Sequence, residues 1–349
     1  MTLENLFDIR YPILQAPMAG AQDHRLAVAV SQAGGLGAIP AGMLDAARLD
    51  AELSAYRALT ELPCNVNFFC HQPPSIDDAR EQHWRERLAP FYRELAVDPA
   101  QIASGPSRQP FDSAMAAVVE KHRPAVVSFH FGLPAPELLE RVRRSGAKVI
   151  ASATTLAEGL WLQEHGVDAV IAQGLEAGGH RGMFLETDLS SQLGTFALLP
   201  QLADALDVPV IAAGGIVDAR TARAARLLGA AGVQVGTAYL TSTQSLASEL
   251  HRKALLSPRA RHTVVTCAFT GRPARGIVNR LIEEIGPLPE APAFPLAGNA
   301  ITPLRARAES LGMDGFTPLW SGQNASQCHV VDAGLLTREL GEAAAADKA

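Results

Sequence analysis

Cysteine is scarce: 349 residues carry four, Cys64, Cys70, Cys267 and Cys328. They form no CxxC pair and no dense framework, which excludes a disulfide-stapled secreted scaffold and a thiolate zinc site. Buried free thiols are the expected state, and no metal site is expected. Long apolar runs are missing too. None reaches the roughly 18 residues that mark a membrane span, so no membrane association is expected. The opening MTLENLFDIRYP has neither the basic region nor the apolar stretch of a secretory leader, and a soluble cytoplasmic protein is expected. Positive charge is not in excess: 30 Lys and Arg stand against 36 Asp and Glu, a net −6. That balance lacks the basic footprint of a nucleic-acid binder. No GxGxxG follows a strand to mark a Rossmann nicotinamide site.

Short apolar runs, by contrast, recur along the chain, each followed by a helical pattern. Eight read as strands: 13–16, 36–39, 65–69, 126–129, 148–151, 169–172, 208–212 and 232–235. Near-continuous apolar strands imply burial on both faces, as in a parallel sheet covered by helices. The intervening helices carry stop and start signals. Asp218 caps DARTARAARLLG and Gly229 ends it, while Thr154 or Thr155 starts TLAEGLWLQEHG. Eight such units favour an α/β fold of the (β/α)8 TIM-barrel type over an open Rossmann layer. Residues 1–70, 116–240 and about 316–349 are assigned to the barrel. Two Pro-rich intervals, about 71–115 and 241–315, break the rhythm. They are expected to build a second, mostly helical subdomain over the barrel mouth. The tail ELGEAAAADKA reads as a frayed end.

Barrel chemistry sits at the C-terminal ends of the strands, and polar residues gather there. AAGGI after the seventh run and QVGT after the eighth expose backbone N–H groups where no side chain blocks approach, as phosphate loops require. EAGGHRG, residues 176–182, surrounds His180 with glycines. An imidazole at that position suits a general base near neutrality. His130 and His71 also follow strands. A satisfied rim histidine is an equal alternative for His130 and the preferred reading for His71. Met18 is expected to pack against a ring system. The amides of Asn67 and Gln173 suit an edge rich in nitrogen and oxygen, or else tie loops.

Taken together, PILQAPMAG (12–20), NVNFFCH (65–71), AQGLEAGGHRG (172–182), PVIAAGGI (209–216) and GVQVGTAYL (232–240) resemble the nitronate monooxygenase family. FTGRPARGIVNR (269–280) and PLWSGQNAS (318–326) resemble its bacterial class I members. The resemblance implies an FMN enzyme oxidising alkyl nitronates, propionate 3-nitronate among the candidates, with O2 to carbonyl compounds and nitrite or other nitrogen oxides. It places FMN contacts on Asn67, Gln173, Gly178, Gly215, Gln234, Val235, Gly236 and Thr237, with Met18 beside the ring. It places the catalytic histidine on His180 and a substrate-pocket histidine on His130. The central motif is shared with FMN-dependent enoyl-ACP reductases, so an NAD(P)H reductase of enoyl thioesters or quinones is the alternative. A non-catalytic flavin- or phosphate-binding barrel is a third reading.

Overall fold

The computed structural model describes residues 2–103, 105 and 108–345. Eight parallel strands form the main sheet: β1 (Ile13–Gln15), β2 (Gly37–Pro40), β3 (Cys64–Phe69), β4 (Val126–His130), β5 (Lys148–Ala153), β6 (Ala169–Gln173), β8 (Val210–Ala213) and β9 (Gly232–Val235). A separate antiparallel sheet contains β7 (Gly179–His180), β10 (Thr263–Thr266) and β11 (Ala274–Ile277). The main order is β1-β9-β8-β6-β5-β4-β3-β2. A parallel bridge between Leu14 and Leu36 closes it, with Gln15 N donating to Leu36 O at 3.0 Å and Leu36 N to Ile13 O at 2.8 Å. The result is a (β/α)8 barrel.

Side chains alternate across each strand, and the alternation sorts the core into two layers. Val66 and Phe68, Val127 and Phe129, Val149 and Ala151, and Val170 and Ala172 face outward into one cluster with helix residues such as Leu49, Val119, Leu162 and Leu202. The intervening Val126, Ile150, Ile171 and Ile211 fill the barrel with Leu14 and Leu36. Leu3 and Phe7 of the helix Leu3–Phe7 plug its lower end. Each fully buried side chain of this kind contributes about 1.5–3 kcal/mol. Further up the same inward rows the residues turn polar: Asn67, Ser128, His130, Ser152, Thr154, Gln173 and Gln234. The inward rows are thus mostly apolar at the bottom, Asn65 excepted, and polar at the top.

Local signals act as the sequence suggests. Asp218 accepts a hydrogen bond from Thr221 N and forms a capping box with it; Gly229 ends that helix at φ 101°. Thr155, rather than Thr154, caps the helix Leu156–Glu164. The tail differs from expectation. Leu336, Leu340 and Ala344 recur every four residues and are buried, so Ala333–Ala345 is a helix packed on the barrel and not a frayed end through residue 345. Tyr239 Oη and Thr337 Oγ1 meet beneath it at 2.8 Å.

The two intervals that interrupt the barrel share one core. Trp84, Leu88, Phe91 and Tyr92 of the helix Asp78–Glu94 pack with Leu281, Ile301, Leu304 and Phe316 from the later segment. Trp84 Nε1 donates to Ala297 O at 3.2 Å, across 213 residues of chain. The β10–β11 hairpin was not expected within 241–315. Its β-branched TVVT run favours a strand, but its partner runs along 274–277 after a proline-bearing turn.

Candidate active site

At the barrel mouth, β7 carries His180 and pairs with β11 through Ala274. The backbone carbonyl of His180 accepts two side-chain N–H groups, from Gln173 Nε2 at 2.9 Å and His130 Nε2 at 3.1 Å. Gln173 Oε1 in turn accepts Gly182 N at 2.7 Å. The glycine-rich loop is therefore clamped on both sides of the histidine. His130 Nδ1 meets Ser152 Oγ at 3.1 Å, so both its ring nitrogens are engaged. Burial pushes the His130 pKa down to about 3, against the pull of the His180 carbonyl. The ring stays neutral and serves as a strut for the loop.

The His180 ring itself is only half-buried by area but is enclosed by Phe69, Phe131, Phe294 and Trp320, with ring centroids 5.3–6.3 Å away. Its Nε2 contacts Thr270 Oγ1 at 2.9 Å. Burial lowers its pKa well below 6.5, and Arg108, His130, Arg272 and His71 lower it further. His71 is buried between Phe131 and Phe294 with neither ring nitrogen hydrogen-bonded among the described residues. Its pKa falls to about 4, chiefly through burial.

Neutral buried histidines carry a stability consequence. Unfolding exposes them, and the unfolded chain then binds protons that the folded chain does not, between the ordinary value near 6.5 and the depressed one. Stability is full above pH 6.5 and is lost as pH falls towards 4 for His71 and 3 for His130. Each contributes a slope of up to about 1.4 kcal/mol per pH unit in that window. Urea midpoints measured from pH 7.5 to 4.5 should fall most steeply below 6.5, and the His130→Gln/His71→Gln double variant should show a shallower fall. An identical slope in both proteins would remove this account.

Beneath the loop, Arg181 is fully buried and, among the described residues, donates its hydrogen bonds to neutral acceptors, Gln192 Oε1, Gly174 O and Gln173 O, at 2.7–3.1 Å, with the carboxylates of Glu176 and Glu158 acting on it from further off. Gln192 Nε2 reaches Thr154 Oγ1 at 3.0 Å, and Thr154 donates to Glu158. Glu158, also fully buried, takes Thr154 N, Thr154 Oγ1, Phe184 N and Leu185 N at 2.6–3.3 Å. Glu158→Ala strands those four donors, each unmade bond costing about 1–3 kcal/mol. A loss of about 3–5 kcal/mol in urea unfolding is expected, and a loss below 1 kcal/mol would show the carboxylate to be dispensable.

On the opposite side, the loops after β6, β8 and β9 converge. Glu176 ties the first to the helix Thr195–Ala205 by accepting Thr195 N at 2.7 Å and Thr195 Oγ1 at 2.9 Å. Gly214 and Gly215 both have positive φ, and a Cβ on Gly214 would lie 2.9 Å from Thr195 Oγ1. The segment 321–324 stitches the three loops together: Gly322 N donates to Thr237 Oγ1 (3.0 Å), Gln323 N to Glu176 O (3.0 Å) and Asn324 Nδ2 to Gly215 O (2.9 Å). Gly178 backs onto this segment so closely that a Cβ would meet Gly322 N at 2.6 Å. Gly236 faces Met18 across the top of β9, Val235 is buried under it, and Gln234 Oε1 is buried without a hydrogen-bond partner among the described residues. Asn67 Nδ2 donates to Ser128 Oγ at 3.0 Å on the far wall.

A sequence model described as nitronate monooxygenase matches residues 1–340. This chain belongs to the nitronate monooxygenase family. Proteins named nitronate monooxygenase from Paraburkholderia phytofirmans and Pseudomonas aeruginosa are 41% and 39% identical to it, over 96% and 97% of this chain and 92% and 97% of theirs. Among solved structures, a nitroalkane oxidase from Streptomyces ansochromogenes aligns with TM-score 0.91 at 38% identity, over 99% of this chain and 98% of that one. FabK from Thermotoga maritima aligns with TM-score 0.75 at 27% identity, over 99% and 96%. As a family member the chain is an enzyme, a monooxygenase. No helix among its described residues is long and apolar enough to cross a membrane.

Several residues of this monooxygenase's mouth carry no local sequence signal of their own: Arg108, Thr270, Arg272, Phe294 and Trp320, all from the two inserted segments or just beyond them. FTGRPARGIVNR and PLWSGQNAS held Thr270, Arg272 and Trp320 within motifs, without a role for any of them.

Proposed function

We propose that this chain is an FMN-dependent nitronate monooxygenase that oxidises alkyl nitronates with O2 to carbonyl compounds and nitrite or other nitrogen oxides. The observation that carries the reading is a neutral, aromatic-walled His180 facing a glycine cradle across one barrel mouth. The fit to FMN rests on chemistry of this chain. The glycines at 214, 215 and 236 leave room for a phosphate against bare backbone. Gln234 Oε1 is a buried acceptor in want of a donor, and a flavin edge offers N–H groups. Gly178, Val235 and Thr237 would complete the cradle, and Met18, Asn67 and Gln173 would be the side chains that hold the flavin. Bound FMN supplies the electron acceptor that hands electrons on to O2.

The chain's own residues bind, orient and move one proton. Thr270 donates towards Arg272 O and so receives the His180 Nε2–H, which leaves Nδ1 bare. On a neutral nitroalkane Nδ1 removes the α-proton; on a preformed nitronate it has no proton to take, and the positive charges of Arg108 and Arg272, which act on His180, favour the anion. His130 enters as the residue that fixes the loop beneath the substrate. The inserted segments 71–115 and 241–315 act as a lid that excludes water.

The alternative keeps the flavin and changes the reductant: an NAD(P)H reductase of enoyl thioesters or quinones, to which the likeness with FabK gives weight. Anaerobic stopped-flow mixing separates the two. Rapid bleaching of the flavin by a nitronate, and slow bleaching by NADPH, is the expected result; the reverse pattern overturns the proposal.

A further inference from the structure

Two amide side chains inside the barrel have buried atoms without partners. Asn65 is 1% exposed, and neither its Nδ2 nor its Oδ1 makes a hydrogen bond among the described residues; Gln234 Oε1 shares that state. The barrel brings the two together. Inward side chains of such a barrel stack in layers of four, taken from alternate strands. Strand register places Asn65 in one layer with Leu14, Ile150 and Ile211, which belong to one buried cluster. The layer directly above consists of Ala38, Ser128, Ile171 and Gln234.

Ser128 supplies a third polar group. Its Oγ accepts Asn67 Nδ2 at 3.0 Å, and its own hydroxyl proton reaches no acceptor among the described residues. Donors and acceptors thus gather in two adjacent layers: Asn65 offers both, Ser128 a donor and Gln234 an acceptor. Leucine or isoleucine holds every other place in the layer of Asn65, so an aliphatic side chain there would carry no polar cost. An unpaired amide in such surroundings is expensive. Buried polar groups of this kind are completed by internal water, which typically makes about three hydrogen bonds.

Resting on the proposed flavin chemistry, we infer that Asn65, Ser128 and Gln234 hold ordered water inside the barrel, and that Asn65 acts through it as a positioning residue for FMN. The water accepts from Asn65 Nδ2 and Ser128 Oγ and donates to Gln234 Oε1. A carboxamide oxygen takes two bonds, so Gln234 can serve the water below and a flavin edge above. Asn67, one layer higher, is tied to the same Ser128. Two of the amides proposed to hold the flavin therefore take their orientation from a hydrated floor beneath them.

A high-resolution crystal structure of the FMN-loaded wild type should show water within hydrogen-bond distance of Asn65 and of Gln234 or Ser128. An Asn65 amide with no water beside it overturns the site. Asn65→Leu and Asn65→Thr give a second test, since threonine keeps a donor and an acceptor on a frame suited to a strand. The leucine variant should unfold at lower urea than wild type. Its Kd for FMN should rise about 5- to 30-fold, the factor for one or two lost hydrogen bonds, and the threonine variant should recover most of both losses. A leucine variant more stable than wild type overturns the water site, and unchanged FMN affinity in that variant overturns the positioning role. Should the leucine variant fail to fold, the wild-type crystal structure and the threonine variant decide. Wild-type protein that holds the water yet takes up no FMN overturns the proposed function and leaves the water site standing.

Discussion

His180→Asn should lose about 10²- to 10⁴-fold in turnover on a neutral nitroalkane, equivalent to about 3–5 kcal/mol of barrier, because a positioned general base is typically worth that much. On the matching preformed nitronate the loss should be far smaller, since the proton is already gone. The substitution leaves the scaffold in place: the contacts from Gln173 and His130 end on the backbone carbonyl of residue 180, and the pairing with Ala274 is backbone as well. Oxygen consumption with nitroethane and with ethyl nitronate, side by side, measures the split. Equal losses on both would mean that the ring binds charge and does not move protons. The depressed pKa of His180 adds a pH signature. A base that stays unprotonated through the ordinary histidine range should give no inflection near pH 6.5 in kcat/KM for the neutral nitroalkane.

The second large effect concerns the glycine cradle. Gly215 has φ 74°, and an added Cβ would find its nearest neighbour at 3.7 Å, the Glu176 Cβ. Space is available, and Asn or Asp tolerates that backbone conformation better than other side chains. Gly215→Asn and Gly215→Asp therefore differ mainly in charge. A carboxylate about 4 Å from a phosphate in a partly screened site is worth about 4 kcal/mol of repulsion, close to a thousandfold in affinity. Apoprotein titrated with FMN should bind it in the Asn variant and fail at micromolar FMN in the Asp variant. Equal affinities would put the phosphate elsewhere.

Much of this architecture is legible from residue order alone. The barrel strands are recognisable because each carries apolar residues on both faces over its lower half, and that is a local property. Helix ends are legible for the same reason, since Asp218, Thr155 and Gly229 act within one turn of themselves. The mouth is less so. His180 stands out through its glycines, but the strand it occupies exists only because Ala274 and Arg275, about a hundred residues later, pair with it. Arg108 and Arg272 look like ordinary surface arginines until the fold sets them over the rings of Phe294 and Phe131. The role of His130 turns on Ser152 and on a backbone carbonyl, neither of which announces itself in the sequence. The tail misleads because AAAA looks featureless; burial of Leu336, Leu340 and Ala344 on the barrel decides its state.

The stitching of the glycine loops by residues 321–324 bears on how the protein matures. A ribosome reaches those residues after all eight barrel strands have been made, and the closing helix Ala333–Ala345 later still. Contacts between such distant parts of a chain form slowly, since long loops must close first. A nascent polypeptide halted near residue 315 would own every glycine of the cradle and lack the strap that fastens them. Tethered chains of increasing length should accordingly acquire tight flavin retention in a single late step, once the strap has left the exit tunnel.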